Sequence, residues 1–224
     1  MHHHLIDHLI ATGRPPGVGV LASRLGVSTA EACEGLRRLE EQHGVVLHRG
    51  ADASDPAIWL AHPFSTTPTL FWVSSAERGW WAPCIWCALG IAALVDDDVT
   101  ISTRFGGETE AVDIEVRGGQ LLSAGLVAHF CVAVARAWDD VHRFCSTALV
   151  FRTSGEVQRW CARHGYPLGS IQTLERVWAL ARAWYGGHRA RDWRKHTQAE
   201  AKRIFESVGL SDPIWSLEPG AERF

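Results

Sequence analysis

No apolar run in this 224-residue chain approaches the roughly 18 residues that a membrane-spanning helix needs. Positive charge is also short. The 22 lysines and arginines face 25 acids, for a formal net charge of -3, so the broad attraction to phosphate on which nucleic-acid binders depend is missing. The N-terminus lacks the basic segment, apolar stretch and small-residue cleavage site of an export signal, so a cytoplasmic protein with reduced thiols is expected. What is present is ordinary globular material, 46% apolar and 21% charged. The length suits one large domain, or a small module followed by a medium one, without staples.

The first 65 residues read as a small helical module. Residues 5–12 carry apolar positions at helical spacing and stop at Gly13, Arg14 and Pro15. The Met-His-His-His opening is assigned no function. A second helix runs to about Leu25, and Gly26 turns the chain. Ser28 then caps a third helix, with Glu31 in the position that completes a capping box. Strand-like pieces at 45–48 and 58–62, joined by a polar loop at 49–56, complete a winged-helix-like pattern. Its would-be recognition helix holds four glutamates against two arginines, and residues 1–65 hold five arginines against seven acids. Such a surface repels phosphate, so no nucleic-acid partner is expected. The Ser/Thr/Pro-rich stretch 64–71 reads as a linker, which gives an N-terminal module at 1–65 and a second domain at 66–224. The fold class expected is α+β, the module being followed by a small antiparallel or mixed sheet flanked by helices.

The second part holds the chemistry. Six cysteines stand at 33, 84, 87, 131, 145 and 161. Cys84 and Cys87 follow Pro83 and open an apolar helix, where unpaired backbone N–H groups and the helix dipole favour thiolate over thiol. The spacing fits thioredoxin-like redox chemistry, half a zinc site or a soft-metal site. Nothing supplies the other half of a structural zinc site. The glycine-broken strands of residues 99–127 read as an antiparallel meander, which does not suit a thioredoxin fold. Cys145 lies in a strand-like run. Cys33, Cys131 and Cys161 read as core, and His129 and His142 as weak ligand candidates. Two amphipathic helices close the chain, joined by the basic run 189–195, which reads as a solvated surface.

The order of these pieces resembles the alkylmercury (organomercurial) lyase family over about residues 17–186. The sharpest matches are Trp86-Cys87-Ala88-Leu89 and Phe144-Cys145, the latter about fifteen residues before Trp160. The resemblance implies that Cys87 and Cys145 bind the mercury of an organomercurial, and that an aspartate three residues after the first cysteine helps move a proton onto carbon. That aspartate position falls on Gly90, and a second cysteine common beside the later one is Ser146 here. Cys84 is the candidate third thiol or proton donor. Two soft thiolates suffice for Hg(II) or Cu(I), so metal capture is expected to persist. Cleavage is expected to be slow unless Gly90→Asp restores the acid. No resident cofactor is implied, since the soft metal is substrate or product and the partner is a small molecule. The alternatives are a relative acting on a non-mercury metabolite and a non-catalytic Hg or Cu binding protein.

Overall fold

The computed structural model describes residues 1–48 and 55–217; most of the polar loop at 49–56 lies outside them. Three helices come first, α1 (His2–Thr12), α2 (Val18–Leu25) and α3 (Thr29–Glu41). Gly13 closes α1 in the left-handed conformation that glycine adopts without steric cost. Ser28 and Glu31 form the expected reciprocal capping box at the start of α3.

The strands β1 (Val46–Leu47), β2 (Ile58–Ala61), β3 (Phe64–Ser65), β4 (Phe71–Ser74) and β5 (Gly79–Ala82) follow. After them come α4 (Ile85–Leu94), β6 (Val99–Arg104), β7 (Ala111–Arg117), β8 (Gln120–Leu121) and β9 (Val127–Phe130). The chain ends with α5 (Val141–Ser146), β10 (Leu149–Phe151), α6 (Ser154–His164), β11 (Ser170–Thr173), α7 (Leu174–Tyr185) and α8 (Gln198–Ser207). The class is α+β. The first eight strands form one sheet in the order β1-β2-β3-β5-β4-β6-β7-β8, and the last three a second in the order β10-β9-β11. Among the described residues every pairing is antiparallel.

The larger sheet exceeds expectation because the stretch read as a linker is partly strand. Phe64 and Ser65 are buried, and β3 pairs with β2 on one side and β5 on the other. Apolar burial of Phe64 outweighs the turn-forming composition that follows it. A second difference concerns Cys145. Its segment is helical, because the Asp140 side chain accepts the Arg143 backbone N–H at 3.0 Å and caps α5; the strand begins at Leu149.

Helix α4 has no charged residue and is buried on nearly every side. Such a helix belongs in the core rather than on its rim. It packs chiefly against α7, and also against β4 and β5. The N-terminal helices are tied to the rest of the chain: Trp80 donates its indole N–H to the Leu9 carbonyl at 2.9 Å, and the His2 ring stacks on Trp193 at 3.5 Å. Cys33 and Cys161 are buried as expected, whereas Cys131, just past the end of β9, is half-buried. No helix among the described residues is long and apolar enough to cross a membrane.

Candidate metal and organometal site

Cys84 is the N-cap of α4, and its sulfur accepts the Cys87 backbone N–H at 3.3 Å. The favourable electrostatics of the helix start therefore act first on Cys84. Cys87 lies one turn further on, and Cys145 comes from the last turn of α5. Ligand atoms of His62, Cys87 and Cys145 all lie within 4.8 Å of one another. Two thiols far apart in the chain and an imidazole from the end of β2 thus converge on one point. No carboxylate belongs to the cluster among the described residues.

The surroundings set the charge. His62 Nδ1 lies 3.4 Å from the Cys87 sulfur, and the Tyr185 hydroxyl lies 3.4 Å from the same atom. Burial lowers the His62 pKa, so the ring is neutral near pH 7, while burial raises Tyr185 well above the usual phenol range. Burial also raises Cys87. Cys145 is raised by its hydrogen bonds to Cys84 and Cys87, and further by burial. Burial pushes Cys84 up as well, but hydrogen bonds from Cys145 and Cys87 outweigh it and hold Cys84 well below the usual thiol range. The cluster's negative charge therefore rests most easily on Cys84, with protons on the other two sulfurs.

Cys87 and Cys145 line a cavity of about 80 Å³. Its walls are largely aromatic, with Trp86, Trp138, Phe144, Trp184 and Trp193 among them. Cys84 is fully buried and is not among the lining residues. Cys145 also lines a second cavity of about 250 Å³, with Ser146 and His142.

Sequence reasoning singled out Cys84, Cys87 and Cys145 and missed the groups around them. Nothing local marks His62 or Tyr185, because each reaches the sulfur through tertiary packing. His129 instead contacts the Leu168 carbonyl at 2.9 Å, and His142 stacks on Trp59. The basic run read as a solvated surface supplies two cavity walls, Trp193 and Lys195. Lys195 is half-buried there against His43 and Trp138, so its stem and the Trp193 ring gain apolar contacts that a solvated run would forgo.

Gly90 also needs a new account. A Cβ there would stand 2.4 and 2.5 Å from two ring carbons of Tyr185 and 3.0 Å from Pro63. Glycine at this position admits the Tyr185 ring beside α4. Gly90→Asp therefore requires the Tyr185 ring or the α4 backbone to shift before a carboxylate could be accommodated there.

The sequence model of the family described as alkylmercury lyase, MerB, matches residues 64–186. Among solved structures, the chain is similar to one titled the crystal structure of the mercury-bound form of MerB2. The TM-score is 0.63 at 21% identity, covering 84% of this chain and 89% of that one. At that identity the likeness is one of fold. No curated protein sequence matches.

Proposed function

Because the chain belongs to the alkylmercury lyase family, we propose that it holds the mercury of an organomercurial between Cys87 and Cys145 and cleaves the carbon–mercury bond by protonolysis. The observation that carries this reading is the convergence of two thiols and one imidazole within 4.8 Å in a largely aromatic cavity. Soft thiolates select a soft metal, and a pair of them satisfies the linear preference of Hg(II).

The Cys87 sulfur bonds to mercury first, displacing the original counter-ligand and releasing its proton to solvent or to that ligand. The Cys145 sulfur then bonds to mercury as the carbon–mercury bond breaks, and its proton ends on carbon. The organic group leaves as the hydrocarbon, with Hg(II) held by both sulfurs. His62 is the group that carries the proton between them. It lines the cavity, it is neutral before the step, and its Nε2 is enclosed without a hydrogen-bond partner among the described residues. An imidazole whose charged form is disfavoured by burial gives up an acquired proton readily. The Tyr185 hydroxyl, which keeps its proton, steadies the Cys87 sulfur, and Cys84 behind the pair carries the cluster's negative charge, held there by hydrogen bonds from Cys145 and Cys87.

Single-turnover release of benzene from phenylmercury tests the reading. Wild type should release benzene, Cys87→Ser and Cys145→Ser should abolish it, and His62→Gln should slow it by about 10²–10⁴-fold while mercury is still taken up. Release that survives Cys87→Ser would overturn the assignment. Stoichiometric uptake with no benzene from wild type would favour sequestration of a soft metal instead.

A further inference from the structure

Helix α5 borders two cavities on neighbouring faces. Val141, Phe144 and Cys145 line the aromatic one of about 80 Å³, while His142, Cys145 and Ser146 line the second, of about 250 Å³. Each trio follows the three- and four-residue spacing that puts side chains on one face of a helix. Cys145 therefore stands on the edge that the two faces share. Among the described residues it alone lines both cavities, and Cys87 lines only the first. The second cavity also has a different chemistry. Ser65, Thr67, Thr69 and Ser146 stand in its walls, and no Lys, Arg, Asp or Glu is among the described residues that line it.

Two of those hydroxyls have their protons committed to the backbone. Ser65 Oγ donates to the Thr67 carbonyl at 2.8 Å, and Thr69 Oγ1 donates to the Ala82 carbonyl at 2.6 Å. What they have left to offer is a lone pair, so the wall suits a ligand that brings N–H donors. Cleavage of an organomercurial between Cys87 and Cys145 leaves Hg(II) on two sulfurs, and a soft donor is what displaces such an ion. A small thiol carrying an ammonium or amide group meets both demands. Through the second cavity it reaches Cys145 without crossing the aromatic one.

We propose that the second cavity is the port through which a small hydrophilic thiol removes Hg(II), attacking from the Cys145 side. The incoming sulfur bonds to mercury, the bond from mercury to Cys145 breaks, and the proton of the incoming thiol passes to the Cys145 sulfur. Mercury is then held between Cys87 and the acceptor. A second thiol repeats the exchange at Cys87, whose sulfur takes that thiol's proton, and Hg(II) leaves with two acceptor sulfurs. Cys145 is thus the last sulfur to bind and the first to let go. The proposal rests on the reading above only in that Cys87 and Cys145 hold the Hg(II); it adds the class of acceptor, its path and the order of release.

The test loads the full-length protein with one equivalent of Hg(II), mixes it with cysteamine, and measures the mercury left on the protein after desalting at successive times. Uptake of phenylmercury by the same protein, free of mercury, is measured in parallel. Thr67→Trp and Ser146→Phe, which fill the second cavity from two different segments, should slow removal about tenfold or more and change uptake less than about twofold. Ala137→Leu, at a position that lines the first cavity only, should slow uptake and spare removal. Wild type should yield its mercury to cysteamine about tenfold faster than to propanethiol, which has the same length without the ammonium, once each rate is divided by that for mercury on a free small dithiol. Removal at the wild-type rate in both cavity-filling variants, removal and uptake slowed alike in both, or equal rates for the two thiols would overturn the proposal while leaving thiol capture intact. Loading with Hg(II) that is indifferent to Cys87→Ser and Cys145→Ser would instead remove the mercury-binding reading, and the port with it.

Discussion

Gly90 and Tyr185 occupy one space between them. The ring stands where any side chain on Gly90 would project, so Gly90→Asp forces a buried ring or a helix backbone to move and places a carboxylate without a partner in the core. Overpacking alone costs about 1–3 kcal/mol, and the buried charge adds to it. Gly90→Asp should therefore lower the thermal unfolding midpoint by several degrees. Combined with Tyr185→Ala, it should cost less than the two single losses added together, because the smaller side chain vacates the space. Equal stability of wild type and Gly90→Asp, measured by calorimetry, would show that the ring yields freely. The thiol pair was legible through the resemblance of Trp86-Cys87-Ala88-Leu89 and Phe144-Cys145 to the family's motifs. His62 and Tyr185 were not, because contact with the Cys87 sulfur depends on how β2, α4 and α7 pack, and no spacing along the chain records that.

Elements explain which segment expectations held. The start of α3 carries its own signal in Ser28 and Glu31, and α4 in its unbroken apolar run, so both were readable. The segment around Cys145 was misread because apolar residues at 148–151 resemble a strand throughout, while the helix before them is defined by one capping aspartate. That aspartate is testable. Asp140→Ala removes the acceptor of the Arg143 N–H and should cost about 1 kcal/mol, as N-cap deletions do. Since α5 carries Cys145, the variant should also slow the second metal–sulfur bond more than the first, read as biphasic uptake of phenylmercury. Uptake as fast as in wild type would mean that packing of Phe144 and Cys145 holds the helix without its cap. The connector at 186–197 was misjudged for the opposite reason: its charges are real, but the tryptophan and lysine among them turn inward.

For the molecule as a whole, the buried histidines link acidity to folding. Burial lowers His2 to about 3, and burial, then neighbouring positive charge, lowers His188 well below 6.5. Their folded forms resist a proton that the unfolded chain binds below about 6.5. Stability from these rings is thus fully present above that value, falls as the pH drops through it, and goes on falling until the folded rings titrate near 3 for His2. His2→Phe, which keeps a ring on Trp193, should flatten denaturant midpoints between pH 6.5 and 4 relative to wild type; an unchanged slope would show that other groups govern it. The interlock of Gly90 and Tyr185 also bears on how such a sequence can change over descent. Neither position drifts independently, since a larger residue at 90 is admissible only after 185 has become small. Substitution must follow that order, and related chains should divide into two kinds, those with glycine at 90 beside an aromatic 185 and those with a side chain at 90 beside a small residue, with the mixed pairing purged.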